Sequence, residues 1–194
     1  MPPKVKITKE DILQAALDLL RREGETAINA RNIAAALGCS TQPVFSNFAT
    51  MEGLQAAVVS AAYALYLGFL QREVENGKYP AYKSLGMAYI RFAKEEKELF
   101  KLLFMRDRTG AEISVSPDFE ESVHMIMEAN GVTRETASRM HLEVWTCVHG
   151  IGTMLATSFL SLTWELISDM LTDVYQGIRA RHASEETINE CHND

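Results

Sequence analysis

Two groups of residues in this sequence have types that could bind a metal ion. In the first, Glu121 and His124 are spaced like one half of a di-iron carboxylate motif, in which a helix supplies a glutamate and then a histidine three residues later. A complete site needs a second such pair and two further glutamates, and no other histidine in the sequence follows a glutamate by three. The spacing therefore does not predict a di-iron enzyme.

The second group comprises His141, Glu143, Cys147 and His149. On a helix, His141 and His149 would point ~80° apart and Cys147 would point ~160° away from His149, so they would not converge on one ion. The sequence also shows neither a glycine-rich phosphate loop nor a Ser-His-Asp order. We therefore expect no enzyme, no metal ion and no cofactor.

A third group of side chains suits nucleic acid. Thr41, Gln42 and Ser46 are short enough to reach the edges of bases in a groove, and a glutamine can form two hydrogen bonds with adenine. Pro43 can pack its ring against a thymine methyl group. These residues are predicted to contact base edges or the DNA backbone, and Gln42 is the main predicted base contact.

Two short helices joined by a glycine turn must position these side chains. Asn29 can cap a helix over residues 30–37, Gly38 permits a tight turn, and a further helix is predicted over residues 41–47. Where the two helices cross, the sequence has small and apolar residues: Ile33, Ala34, Leu37 and Val44. This pattern is typical of a helix-turn-helix, in which Asn29 and Arg31 would hold the DNA backbone.

The flanking sequence predicts helices throughout. Thr8 and Asp11 resemble a capping box before a helix that ends at Gly24, and a long helix is predicted over residues 51–75. Further helices are predicted near residues 80–94, 96–106, 118–129, 133–159 and 163–181, with a loop at 108–117. No segment alternates apolar and polar residues as a strand does, so the predicted fold is all-α, with about nine helices.

Charge divides the chain into two parts. Residues 1–60 contain six basic and six acidic side chains, so the whole net charge of −7 lies C-terminal of residue 60. We expect a helix-turn-helix domain at 1–50, a helical ligand-binding and dimerisation domain at 51–182, and a polar tail at 183–194.

The sequence predicts a cytoplasmic protein. The three cysteines match neither a disulfide framework nor a zinc motif, and residues 1–11 carry charges and prolines where a signal peptide needs an apolar run. Two uncharged runs, 53–71 and 144–164, are long enough to span a bilayer. Their polar side chains favour helices buried in a bundle instead, so no membrane association is expected.

Residues 8–56 resemble the DNA-binding domain of the TetR (tetracycline-repressor) family of bacterial transcription regulators. The residues that carry the resemblance are Asn29, Arg31, Ile33, Ala34, Gly38, Ser40, Phe45 and Phe48. ELFKLLF at 98–104 is similar to the sixth helix of the family, and WTCVHG at 145–150 looks like the Trp-x-x-x-His-Gly pattern of one branch. The resemblance implies a regulator, most simply a repressor, that binds a palindromic DNA operator as a homodimer.

The sequence departs from the family at three positions. Phe45 and Asn47, on the helix that the resemblance assigns to DNA, stand where the family usually has Tyr and His, and Met51 replaces a phosphate-binding Lys. The loss of one hydroxyl and one cation predicts weaker and less salt-sensitive binding, unless a flexible arm of lysines compensates. The lysines of this arm are Lys4, Lys6 and Lys9.

The C-terminal part is predicted to form a dimer. One helix-turn-helix domain contacts about half of a DNA operator. In addition, one copy of 194 residues cannot bury the apolar faces of all its predicted helices. We therefore expect a two-fold dimer through the last two long helices. The predicted seam consists of Gly150, Gly152, Leu155, Phe159, Leu162, Leu166, Met170 and Val174. The alternative is that these residues belong to the core of a single copy.

The same part is predicted to bind a small molecule. Its methionines and aromatic residues suit an adaptable pocket, and the resemblance implies an inducer cavity for a small apolar or amphipathic effector. The predicted lining is Tyr66, Phe69, Tyr89, Phe104, His124, Trp145 and His149.

Two simpler interpretations stay open. Aromatic and methionine side chains at helical spacing can form an ordinary core without any ligand. The chain can also be a helical adaptor that has lost DNA binding, an interpretation that Phe45, Asn47 and Met51 favour. Salt-dependent binding to duplex DNA distinguishes a regulator from an adaptor.

Overall fold

A computed structural model describes residues 7–106 and 117–191, except for the side chains of residues 117, 118 and 183–191. Within these ranges the chain forms nine α-helices and one short 3-10 helix, and it contains no strand. The all-α prediction is therefore confirmed. Lys4 and Lys6 of the predicted arm and residues 108–116 of the predicted loop lie outside the described residues.

Most helices begin and end within two residues of the predicted bounds. They are α1 (Lys9–Glu23), α2 (Ala30–Ala36), α3 (Gln42–Asn47), α4 (Met51–Glu75), α5 (Ala81–Glu95), α6 (Lys97–Phe104), α7 (Pro117–Asn130), α8 (Arg134–Ala156) and α9 (Trp164–Cys191). The 3-10 helix, Glu25–Ala27, lies between α1 and α2 in the sequence.

The chain folds as two compact units. Of the described residues, the first unit contains 7–68 and Glu95–Arg106, and the second contains Phe69–Lys94 and 117–191. The first unit extends past residue 50, where the sequence predicts a domain boundary, because most of α4 continues it and α6 packs against α1.

Local hydrogen bonds set the ends of α1. Thr8 Oγ1 accepts a hydrogen bond from the Asp11 amide at 3.1 Å, and the Asp11 carboxylate accepts one from the Thr8 amide at 2.9 Å, as the predicted capping box requires. Gly24 ends the helix with a φ of 82°. The side chains that α1 buries at the centre of the first unit are Ile12, Ala16, Leu17, Leu19 and Leu20.

An ion pair joins the end of α1 to the start of α6. Arg21 Nε and Nη2 each donate to a different carboxylate oxygen of Glu96 at 2.9 Å. These hydrogen bonds raise the pKa of Arg21 above its ordinary value, because they stabilise the charged guanidinium. The geometry is the bidentate one in which a guanidinium and a carboxylate bind each other most strongly.

One face of α4 is buried along its length. The buried apolar residues recur at every fourth position and are Leu54, Val58, Ala62, Tyr66 and Leu70. The helix has 25 residues and a mean hydropathy of 1.5, so by length and composition alone it could cross a membrane. A single buried stripe is also what a helix shows when it packs against a protein core on one side.

In the second unit, α8 packs against both α7 and α9. The buried centre of this contact consists of Val123, Ile126, Val132, Ala137 and Met140. At Gly86, α5 comes so close to its neighbours that an added Cβ would lie 3.3 Å from a Val148 methyl group and 3.5 Å from one of Leu171. The glycine therefore sets the spacing of α5 against α8 and α9.

The second uncharged run, residues 144–164, does not form one helix. α8 ends at Ala156, three residues before the predicted end, with two backbone hydrogen bonds of a Schellman motif. The Ser158 amide donates to the Leu155 carbonyl at 3.1 Å, and the Phe159 amide donates to the Met154 carbonyl at 2.9 Å. Ser158 has a φ of 57°, a conformation that residues with a side chain rarely adopt.

The last helix is longer than the sequence predicts. α9 does not end at residue 181 and continues to Cys191, so the predicted polar tail at 183–194 is helical as far as that residue. Between Gly177 and Cys191 the sequence has neither glycine nor proline, and it has several good helix formers, so nothing local stops the helix.

Candidate functional site

The turn between α2 and α3 has the predicted glycine at its tightest point. Gly38 has a φ of 64°, in the left-handed region that glycine adopts without strain. The Gly38 amide donates to the Ala35 carbonyl at 3.2 Å, and the Cys39 amide donates to the Ala34 carbonyl at 2.9 Å. These two bonds form a Schellman motif that ends α2 and directs the chain into α3. The predicted helix-turn-helix geometry is therefore present.

Two buried side chains anchor α3 in the first unit. Val44 on α3 and Phe48 just after it are 1% and 5% exposed. On the other side of the helix, Gln42, Phe45 and Ser46 are exposed to solvent, Phe45 at 49%. Thr41 and Pro43 are half-buried, and Asn47 is exposed. The helix thus presents a polar and aromatic surface that carries no charged side chain.

Hydrogen bonds within α3 already engage two of these side chains. The Ser46 hydroxyl donates to the Gln42 carbonyl at 2.9 Å. In this conformation the Ser46 oxygen can therefore act toward a ligand only as a hydrogen-bond acceptor. Asn47 Nδ2 donates to the Pro43 carbonyl at 2.8 Å and to the Ile7 carbonyl at 3.5 Å. Asn47 therefore joins the end of α3 to the residues before α1.

The predicted backbone contacts Asn29 and Arg31 occupy different environments. Asn29 Oδ1 accepts a hydrogen bond from the Asn32 amide at 3.0 Å, so the residue caps α2 as predicted. Its Nδ2 donates to the Ala27 carbonyl at 3.4 Å. Arg31, in the first turn of α2, is exposed. Asn29 thus has a structural role that accounts for it without any nucleic acid.

The residues predicted to line an effector cavity fall into separate groups. Tyr66 and Phe104 are in the first unit, where their rings meet edge to face with centroids 5.2 Å apart. Phe69 is in the second unit and meets Phe92 in the same way at 5.3 Å. His124 is exposed on α7, with Nε2 3.2 Å from a Glu128 carboxylate oxygen.

The remaining three of these predicted residues form a cluster in the second unit. The hydroxyl of Tyr89 and Nδ1 of His149 share a hydrogen bond of 2.8 Å. The indole of Trp145 stacks on the His149 ring with centroids 4.9 Å apart, and Trp145 is 41% exposed. Partial burial lowers the pKa of His149, because it disfavours the charged imidazolium.

A second tyrosine and histidine pair was not predicted from the sequence. The hydroxyl of Tyr82 and Nδ1 of His141 share a hydrogen bond of 3.0 Å. Tyr82 precedes Tyr89 by seven residues on α5, and His141 precedes His149 by eight on α8, so the two pairs repeat along the same two helices. The seven-residue spacing of the tyrosines was visible in the sequence, but their partners depend on how α5 packs against α8.

Burial shifts the pKa values of three groups on α5 and α8: Tyr82, His141 and Cys147. Burial, and then the neighbouring Tyr175, raise the pKa of Tyr82. Burial lowers the pKa of His141 and raises that of the Cys147 thiol. All three groups are therefore held in their neutral forms near pH 7. Among the side chains that the structure describes, no three of His, Cys, Asp or Glu lie close enough together to hold a metal ion.

A groove of about 480 Å³ lies in the first unit. Its apolar wall is formed by Ile28, Val58, Val59 and Leu102, and Glu25 and Arg106 are among its polar residues. None of the seven residues predicted to bind an effector lines this groove.

Two solved structures resemble the chain over nearly its whole length. A protein of unknown function from Rhodococcus sp. RHA1 aligns with a TM-score of 0.70 and 20% identity, over 93% of this chain and 97% of that one. A TetR-like transcriptional regulator from Rhodococcus sp. RHA1 aligns with a TM-score of 0.63 and 14% identity, over 95% and 98%. No protein-family model and no curated protein matches the sequence. The chain has a TetR-like fold.

Proposed function

We propose that this protein is a transcriptional regulator that binds double-stranded DNA through the exposed side of α3. The observation that carries the proposal is that Val44 and Phe48 anchor this helix in a small core while Gln42, Phe45 and Ser46 stay exposed. A helix held in this way can enter a major groove and present its side chains to base edges. The similarity to a TetR-like regulator supports the same function.

The proposed contacts follow from the chemistry of each side chain. Gln42 forms two hydrogen bonds with an adenine, and Pro43 packs against a thymine methyl group. Thr41 and Ser46 contact base edges or phosphates, and Arg31 contacts the DNA backbone from α2. Asn29, Phe45 and Asn47 border the same surface.

We propose that the protein acts as a homodimer. The exposed apolar side chains on α8, on α9 and in the turn between them include Leu142, Phe159, Leu160 and Leu166. Gly150, on α8, has no other heavy atom within 4 Å of the position of a Cβ, which leaves room for a helix of a second copy. A two-fold dimer would place its two α3 helices ~34 Å apart, in successive major grooves.

We further propose that a small apolar or amphipathic effector controls DNA binding in the cytoplasm. Trp145, which stacks on His149 and is half-exposed, offers an aromatic surface that suits such a molecule, and the buried Tyr89 holds His149 behind it. An effector would weaken operator binding if it favoured a form of the dimer in which the two α3 helices are not spaced to fit successive major grooves. DNA would then weaken effector binding by the same factor. The protein would then be a repressor released by its effector.

A selection followed by a binding assay tests the DNA contact. The protein selects fragments from randomised duplexes, and fluorescence anisotropy then gives the affinity of the wild type and of two variants for the selected duplex. We expect Gln42→Ala to lose about 10-fold or more in affinity, because a pair of hydrogen bonds to one base contributes about 1–3 kcal/mol. The control is Gln176→Ala, which removes an exposed glutamine from α9.

The helical adaptor remains the second candidate, and Phe45, Asn47 and Met51 favour it. An adaptor would select no sequence, and its response to duplex DNA would be flat between low and moderate salt. Equal affinities of Gln42→Ala and the wild type for a selected duplex would contradict the assignment of α3 as the reading helix.

A further inference from the structure

The proposed DNA-binding surface has few positive charges. The residues of α3, Gln42–Asn47, include no charged side chain, and α4 begins with Met51 and then Glu52. Because duplex DNA is a dense line of phosphates, binding depends on side chains that neutralise some of them. A cation beside α3 would therefore have a large effect on affinity.

The start of α1 supplies such a cation. Lys9 is the first residue of α1 and is exposed, and its Nζ lies 5.0 Å from the centre of the Phe48 ring. Phe48 is the residue that follows α3, and Asn47 Nδ2 reaches the Ile7 carbonyl on the same side. Two contacts thus hold the start of α1 against the C-terminal end of α3.

The position of Lys9 is fixed by its surroundings. The capping box of Thr8 and Asp11 sets the backbone on either side of it, so Lys9 belongs to a helix and not to a flexible arm. Asp11 accepts hydrogen bonds from the Thr8 amide and hydroxyl, both at 2.9 Å. Glu10 follows Lys9 directly, and adjacent side chains on a helix point ~100° apart. Lys9 can therefore present its charge beside α3.

We propose that Lys9 binds a phosphate of the DNA backbone next to the groove that α3 enters. This inference rests on the proposed function and names one contact within it. The Phe48 ring attracts the ammonium group through its face and leaves N–H donors free for phosphate oxygens. Lys9 thus contributes affinity that is independent of base sequence.

Salt-dependent binding tests the contact. Each phosphate contact adds about 0.9 to the slope of log affinity against log salt concentration, so it costs about 3.5-fold in affinity between 50 and 200 mM salt. Binding to a randomised duplex long enough for two half-sites is measured at several salt concentrations. We expect Lys9→Met to reduce the slope by about 0.9 per bound protomer, because its side chain still covers Phe48 but carries no charge.

Two controls separate charge from structure. Lys9→Arg keeps the charge and is expected to keep the wild-type slope, whereas Lys97→Met removes an exposed charge at the start of α6 and is expected to leave it unchanged. Thermal unfolding confirms that all variants fold. A wild-type slope in Lys9→Met, with normal binding by the wild type, overturns the role of Lys9 alone. The absence of salt-dependent binding by the wild type overturns this inference together with the proposed function.

Discussion

The exposed surface of α3 is mainly polar, whereas the exposed surface of α8 and α9 includes several large apolar side chains. α3 buries Val44 and exposes mainly polar side chains, whereas the second unit leaves Leu142 57% exposed and Leu166 48% exposed. Apolar area left in water costs free energy, at about 25 cal/mol per Å². The α3 surface is therefore suited to water and a polar ligand, and the α8 and α9 surface to burial against protein.

The two units also differ in how they end a helix with the same hydrogen bonds. Both α2 and α8 end in a Schellman motif, but the left-handed residue is Gly38 in the first and Ser158 in the second. A serine pays a steric cost in this conformation that glycine avoids. The first turn therefore has the residue that its conformation favours, whereas the second has a residue that its conformation disfavours.

The largest expected effect concerns the apolar surface of the second unit. In the proposed dimer, Leu166→Glu would bury an unpaired charge in each protomer, which costs about 3 kcal/mol or more. We expect the variant to be monomeric and to lose most of its operator affinity, because one α3 helix then binds alone. Sedimentation equilibrium measures the mass, and anisotropy measures the affinity.

Leu67→Glu is the control for that change, because Leu67 is an exposed leucine on α4 outside the predicted seam. We expect this variant to keep the mass of the wild type. A Leu166→Glu protein with the wild-type mass would place the interface elsewhere, and a monomeric wild type would remove the dimer from the proposed function.

The next largest effect concerns the left-handed residues that follow α2 and α8, Gly38 and Ser158. Gly38→Ala forces a side chain into a φ of 64° and is expected to lower the free energy of unfolding by about 1 kcal/mol. Ser158→Gly is the reciprocal change and is expected to raise it by about 0.5–1 kcal/mol. Urea denaturation of both variants gives the two values. If both substitutions lowered the free energy of unfolding, Ser158 would not be strained in its turn in the way that a side chain at residue 38 is.

The smallest effect concerns the two histidines that pair with tyrosines. The pKa values of His141 and His149 lie below the ordinary 6.5 in the folded protein, so near pH 6 the unfolded chain binds more protons. The contribution of these neutral histidines to the free energy of unfolding should therefore be complete above pH 7 and decrease as the pH falls below 6.5. We expect His141→Gln to remove part of this fall in thermal midpoint between pH 7.5 and 5.5.

His124→Gln is the matched control, because His124 is an exposed histidine on α7. Its thermal midpoint is measured at the same two pH values, and we expect His141→Gln to reduce the fall more than His124→Gln does. A His141→Gln protein with the full wild-type fall would mean that burial of this ring does not contribute to the loss of stability in acid.

Residues close in sequence made much of the fold predictable. The capping box at Thr8, the cap at Asn29 and the glycine turn at Gly38 each depend on atoms within a few residues, and all three are present. The bounds of α4, 51–75, are those that the sequence predicts. The exposure of Gln42 follows from the same local pattern, because the burial of Val44 fixes which side of α3 faces outward.

The helical fold, the helix-turn-helix and the side of α3 that faces solvent could be predicted from the sequence, because short-range hydrogen bonds and periodic burial fix them. The pairing of each tyrosine with its histidine and the position of Lys9 relative to Phe48 could not be predicted in this way. Those features join residues that are far apart in the chain, so they depend on how whole helices pack.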